Sequence, residues 1–323
     1  SADVYSSDLQ NSRMGEMICC MENIYKGLCE ICGAGNVLRD EPMSSHTSYR
    51  IGGPAAFFVS PDSGEMIGRI IELCRENDTE YYVLGNGTNL LVSDEGFDGV
   101  VISMKKSFNG IKIENGIIYA GAGALLSKIA SMALYASMEG FEFAAGIPGT
   151  IGGAVVMNAG AYGGEIKDVL KSVLVLVPGE GETVMSAEEL QLGYRTSIFK
   201  DKDWIVTGAA IQLNRGDRDD IHAKMQELKN RRNEKQPVEL PSAGSAFKRP
   251  EGHFAGKLIE DAGLKGFSVG GACVSEKHAG FFVNRGGASA KDVMQLYGHV
   301  AAVVKDKFGV ELEPEVKFVG RFE

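Results

Sequence analysis

The densest chemical signal in the sequence is Phe141–Glu165, FEFAAGIPGTIGGAVVMNAGAYGGE, which holds Gly146, Gly149, Gly152, Gly153, Gly160, Gly163 and Gly164. Glycine loses the most conformational freedom on folding, so such a run is expected where backbone must approach something closely or take positive φ. Ala144, Ala145, Ala154, Ala159 and Ala161 leave space beside the chain, and Pro148 sets a rigid turn. The composition suits backbone laid against a large, flat or phosphorylated ligand. Gly85-Asn86-Gly87-Thr88-Asn89 directly follows an apolar run, and a glycine turn there offers successive N–H groups to a pyrophosphate. It matches neither G-x-G-x-x-G nor G-x-x-x-x-G-K-[ST], so Rossmann and P-loop readings fail. Arg50, with Gly52-Gly53 beyond it, sets a cation beside a third small-residue approach. Three such approaches in the first half of the chain point to a large cofactor. A flavin dinucleotide has both a pyrophosphate and a flat ring.

Side-chain chemistry lies further along. Tyr194-Arg195 sits in LGYRTSIF, where the guanidinium is either a surface group or a fixed fork for carboxylate or enolate oxygens. Ser245 stands in GSAFK between small neighbours; no G-x-S-x-G elbow surrounds it, so a hydrolase nucleophile is not the natural reading. Glu315 falls in LEPEVKFVG, where period-two alternation would put it on the same side as Glu313, a solvated face. Arg231, Arg232 and Lys235 end a charged helix, where cations suit the helix dipole or clamp a phosphate.

The elements that must carry these groups read as a mixture of hairpins and helices, an α+β pattern and not a doubly wound parallel sheet. A helix is expected from about Asp8 to Leu38, and another capped by Ser63 or Asp62 and carrying Met66, Ile67, Ile70, Ile71 and Cys74. Asn115-Gly116 between two apolar runs predicts a hairpin. Helices follow over 124–137, from the turn at Asn214–Asp217 to Lys235, over 257–262, and from Ser289 to a cap at Gly309. Ser186–Glu189 resembles a capping box, and Leu312–Val319 reads as a last strand.

Composition sets limits. At 323 residues the chain can bury a sizeable core in two or three domains. A formal net charge of −10 argues against a nucleic-acid partner. No apolar run approaches the roughly 20 residues of a membrane span, and the opening residues show no signal-peptide pattern, so a cytoplasmic protein is expected. Cys29 and Cys32 have CxxC spacing, with Cys19 and Cys20 upstream and Cys74 and Cys273 beyond. Without a second such pair or a His pair they read as reduced thiols along a helix, with metal or redox work as the alternative.

In order, HTSYRIGGPA, LGNGTNLLVSD, AGIPGTIGGAVVMNAGAYGGE, LGYRTSIF, GSAFKRP, GGACVSEKHAGFFVN and LEPEVKFVG run from about His46 to Gly320. Together they resemble the UDP-N-acetylenolpyruvoylglucosamine reductase (MurB) family of peptidoglycan precursor synthesis. The resemblance implies a vanillyl-alcohol-oxidase-like (PCMH-type) FAD-binding domain in two subdomains plus a C-terminal α+β substrate domain. The expected divisions are a helical segment over 1–40, FAD-binding subdomains over 41–105 and 106–215, and the substrate domain over 216–323. It also implies the shorter subtype, without the extra tyrosine loop that covers substrate in other members.

The chemistry implied is reduction of UDP-N-acetylglucosamine enolpyruvate to UDP-N-acetylmuramate, with tightly bound FAD and NADPH as co-substrate. Hydride would pass through FAD N5 to C3 of the enolpyruvyl group. Ser245 would give the proton to C2, and Arg195 and Glu315 would stabilise the enolate-like charge, Glu315 as a protonated hydrogen-bond donor. The carried-over cofactor positions are Arg50, Ile51, Gly52, Gly85, Asn86, Gly87, Thr88, Asn89, Leu90, Gly146, Ile147, Pro148, Gly149, Ile151, Gly152, Gly153, Ala154, Asn158, Gly160 and Ala161. The substrate positions are Tyr194, Lys235, Arg249, Lys257, Asn284 and Gln295. A monomer without a metal is expected.

Overall fold

The computed structural model describes residues 21–322. The expected N-terminal helix is observed over residues 21–32; its beginning, with Met14, Ile18, Cys19 and Cys20, lies outside the described residues. The helix stops well before Leu38 because Gly33 takes φ +78°, a conformation costly for other residues. Val37–Pro42 is instead a strand, so a division at residue 40 would cut it.

That strand opens a four-stranded sheet, ordered Val37–Pro42, Pro54–Val59, Phe97–Ser103, Tyr81–Leu84. The helix Gly64–Glu76 belongs to the same core. Ser63 caps it by accepting the Met66 N–H, and Ile67, Ile70, Ile71 and Cys74 are its fully buried face. A five-stranded antiparallel sheet follows, ordered Gly181–Ser186, Leu170–Val177, Ile205–Gln212, Ile117–Gly121, Ile111–Glu114. Its Asn115-Gly116 hairpin has φ +51° and +76°, the pair of positive angles that a tight right-twisting hairpin requires. Phe57, Val59, Ile102, Ile118, Val173 and Ile211 lie in one hydrophobic cluster, so the two sheets share a core.

The third sheet, ordered Ser242–Ser245, Phe281–Asn284, Ala272–Val274, Ser268–Val269, packs with the helices Ala255–Asp261 and Ala290–Phe308 in a second core. The helix Arg218–Lys235 lies with the first part of the chain: Met225 packs on the first cluster and the Arg232 stem lies against Gly146. A division at residue 216 therefore separates this helix from what it packs on. Only Lys317–Val319 of the expected last strand forms, parallel to Leu90–Val92, because Pro314 breaks the run and bridges Phe247. Ser186–Glu189 gives half a capping box, the Glu189 carboxylate accepting the Ser186 N–H at 2.7 Å, and a 3-10 turn over Glu188–Leu190. Among the described residues no helix is long and apolar enough to cross a membrane.

The three glycine segments converge. The Ser48 N–H donates to Gly87 O at 3.0 Å, and a Cβ on Gly87 would meet His46 O at 1.9 Å. Asn86 Nδ2 donates to Pro148 O at 2.6 Å, while the Ile151 and Gly152 N–H groups donate to Ala124 O and Ala122 O. Gly152 is buried, with its absent Cβ only 2.8 Å from that of Ala122; Gly153 is exposed and meets nothing closer than Thr150 Oγ1 at 3.7 Å. One glycine serves packing and the next faces outward. The second core is tied to this region by Asp94, whose carboxylate accepts the Ala290 and Lys291 N–H groups at 2.7 and 3.0 Å, a charge at a helix N-terminus.

Two outcomes follow from these contacts. Asp94→Ala is expected to lower stability by about 1–2 kcal/mol in urea unfolding; a change within experimental error would remove the role given to this cap. Gly152→Val should cost roughly 1–3 kcal/mol by overpacking, whereas Gly153→Val should leave the unfolding midpoint of the apoprotein near wild type and weaken FAD retention, measured by flavin fluorescence. Equal behaviour of the two variants would contradict the division of labour.

Candidate active site

Arg195 is carried by a two-residue turn. Gly193 N–H donates to Thr196 O at 3.0 Å and Thr196 N–H returns a bond to Gly193 O at 3.4 Å, so Tyr194 and Arg195 form the tip. Arg195 takes φ +53°, a left-handed conformation unfavourable for a residue with a side chain. Fully buried Asn158 holds the turn, with Nδ2 donating to Gly193 O at 3.0 Å and to Glu165 at 3.1 Å. Its Oδ1 accepts the Lys167 N–H at 3.0 Å, and Ser197 Oγ donates to Val156 O at 2.6 Å. Lys167 Nζ, bonded to the Glu165 carboxylate at 2.7 Å, holds that carboxyl below its usual range. The glycine-rich stretch thus sets the position of the arginine.

Glu315 arrives from the other end of the chain. Its N–H donates to Ala246 O at 2.9 Å, and its carbonyl accepts from Asn89 Nδ2 at 3.1 Å. Its carboxylate Oε1 accepts from Arg195 Nε at 2.6 Å, with side-chain exposures of 12% for the glutamate and 20% for the arginine. The carboxylate is therefore an acceptor toward the arginine through Oε1. Glu313 differs from it, forming an exposed pair with Lys248. The alternation that grouped the two glutamates fails because no strand forms there. Ser245 closes the strand Ser242–Ser245, paired with Phe281, and is exposed.

Ser245, Arg195 and Glu315 line one cavity of about 320 Å³, together with Tyr194, Arg249 and Lys257. The Tyr194 hydroxyl accepts the Arg249 N–H at 3.1 Å. Three expected substrate residues lie elsewhere. Lys235 is exposed on the last turn of its helix, outside the lining. Gln295 is exposed on Ala290–Phe308. Asn284 is buried and fully engaged: Nδ2 donates to Tyr49 O at 3.1 Å, and Oδ1 accepts the Gly286 and Ala288 N–H groups. It positions the segment ahead of Arg50.

The expected cofactor residues divide similarly. Ile51, Leu90, Ile151 and Ala154 are buried. Asn89 spends its amide on Glu315 O and Met157 Sδ, and Gly160-Ala161 pairs with Gly164-Glu165. Arg50 is exposed at φ +55°, Gly52 packs against Val92, and Thr150 Oγ1 fills the space beside Gly85. Thr88 and Gly149 face each other loosely, the threonine Oγ1 3.8 Å from the absent Cβ. Ile147 is half-buried on the first core. The small-residue space at Gly149 and the open Gly153 fit a flat, backbone-contacting group such as FAD.

Sequence reasoning missed Lys265, Lys277, His278 and Phe254, which also line the cavity. The run SEKHAGFFVN held two of them, but only its fold position was read. His278 Nδ1 accepts the Gly280 N–H at 3.0 Å, which leaves the ring proton on Nε2, and burial lowers its pKa. The lining sets Arg195, Arg249, Lys257, Lys265 and Lys277 against Glu260 and Glu315, with Lys257 paired to Asp261 at 2.6 Å and Lys265 to Glu260 at 2.7 Å. A protein of net charge −10 therefore holds a cationic cavity, suited to an anion.

Residues 55–186 match the family model described as an FAD binding domain, and residues 236–319 match that of the UDP-N-acetylenolpyruvoylglucosamine reductase C-terminal domain. The UDP-N-acetylenolpyruvoylglucosamine reductase of Caldanaerobacter subterraneus subsp. tengcongensis is 52% identical over 293 residues, 91% of this chain and 97% of that one. Its counterpart from Clostridium perfringens is 51% identical over 297 residues, 92% and 97% of the two chains. The crystal structure of UDP-N-acetylenolpyruvylglucosamine reductase (MurB) from Thermus caldophilus is 36% identical with a TM-score of 0.76, covering 88% of this chain and 98% of that one. With both halves matched and the α+β architecture in common, the chain belongs to the UDP-N-acetylenolpyruvoylglucosamine reductase family.

Proposed function

We propose that the protein reduces the enolpyruvyl ether of UDP-N-acetylglucosamine enolpyruvate to the lactyl ether of UDP-N-acetylmuramate, with FAD as resident cofactor and NADPH as co-substrate, in the cytoplasm and as a monomer. The observation that carries this reading is the meeting of Ser245, Arg195 and Glu315 in one cationic cavity, from segments far apart in sequence. FAD, when bound along the glycine segments, supplies the hydride chemistry.

The chain's own groups do the rest. Glu315 takes the Arg195 Nε–H, which leaves the two terminal amino groups to fork the substrate carboxylate. Charge that develops at C2 and over that carboxylate during reduction meets a cation already fixed in place, so little reorganisation is needed. Ser245 gives its hydroxyl proton to C2 and is reprotonated from water, since its exposure keeps solvent within reach. The lysines of the lining neutralise the diphosphate, and Tyr194 holds the Arg249 backbone at the edge of the site.

Stopped-flow absorbance separates the two half-reactions. The Ser245→Ala variant is expected to bleach the flavin with NADPH as wild type does, while reoxidation by the enolpyruvyl nucleotide slows by roughly 10²- to 10⁴-fold. Reoxidation at the wild-type rate would remove Ser245 as proton donor. Wild-type protein that never transfers electrons to this nucleotide would remove the function itself.

A further inference from the structure

The cavity that holds Ser245, Arg195 and Glu315 is small, about 320 Å³, at the low end for sites that enclose a ligand. A nucleotide sugar whose reacting end lies against Arg195 must run out over the rim. Two exits are open to it. Beyond the wall made by Tyr194 and Arg249 lies a second cavity of about 550 Å³, lined by Glu251, Glu311 and Glu313 against Lys248, Arg249 and His253. Three carboxylates make that side a poor path for a diphosphate. The rest of the lining carries Lys257, Lys265 and Lys277, and Phe254 stands in it beside Arg249.

Phe254 is 61% exposed and lines the cavity. The Arg249 guanidinium lies over its ring, 4.0 Å from the centroid, and Arg249 Nε donates to His253 O at 3.3 Å. The loop's backbone is in turn fixed by the bond from Arg249 N–H to the Tyr194 hydroxyl. The result is a flat aromatic platform at the cationic rim, one face covered by a guanidinium and the other open. Aromatic faces backed by arginine are the usual partners of unpaired nucleobases.

On the reading under Proposed function, we infer that Phe254, backed by Arg249, is the platform on which the base of the nucleotide sugar stacks, so that specificity for a nucleoside diphosphate is set at the rim and apart from the reacting atoms. The sugar and its enolpyruvyl group fill the cavity, the phosphates pass the lysines, and the base closes the opening.

The test compares two substrates: the complete nucleotide and an analogue that ends at the anomeric phosphate. Phe254→Ala is expected to raise KM for the complete nucleotide about 5- to 150-fold and to abolish the enzyme's preference for it over the analogue. Phe254→Trp should restore the preference. An equal rise for both substrates, or no rise for either, would overturn the assignment, and so would failure of tryptophan to rescue. Absence of wild-type activity on the complete nucleotide would instead count against the proposed reaction, which keeps the two failures distinct.

Discussion

The Arg195–Glu315 ion pair spans 120 residues of sequence and is the contact on which the geometry of the site depends. Each partner is held by backbone that belongs to another part of the molecule. The arginine sits on a left-handed turn hung from Asn158. The glutamate is pinned between Ala246, which follows Ser245, and Asn89, which ends the second glycine segment. Because both side chains are mostly withdrawn from water, the pair lies between a surface salt bridge of little worth and a buried one that is costly to break. Its main consequence is orientation: an arginine tied at Nε has lost most of its freedom before substrate arrives.

The glycine-rich stretch serves two ends with neighbouring residues. Gly152 lets the chain close on Ala122, and Gly153 leaves open space on the outer side. A few residues on, Asn158 turns the same stretch into the support for Arg195. The open backbone at Gly153 and the turn that carries Arg195 are thereby placed by one segment. Preorganisation of this kind is what makes electrostatic stabilisation effective.

Local signals were legible in the sequence. The helix that starts after Ser63, the Asn115-Gly116 hairpin, the helix start at Ser289 and the Gly309 cap each depend on neighbours a few residues away, and each is found where the residue types place it. The glycine segments were legible as a class, since their composition has few other uses. What depended on distant partners was not. Glu315 read as solvated because its surroundings are Asn89 and Arg195, 226 and 120 residues away. The partners of Asn284 and Asn158 were not legible either: their amides donate to Tyr49 O and to Gly193 O and Glu165. Leu38 continued a helical pattern that Gly33 had already ended. Motif order supplied the family, and side-chain accounting supplied the contacts.

The central claim is that Glu315 works through Arg195. A double-mutant cycle on reoxidation of the reduced enzyme by the enolpyruvyl nucleotide tests it, using Arg195→Lys, Glu315→Gln and the pair. The account predicts strong non-additivity, the second substitution adding little to the first, with a coupling energy of about 1–3 kcal/mol. Losses that add to within about 0.5 kcal/mol would mean that the two residues act independently on the substrate, and would contradict it.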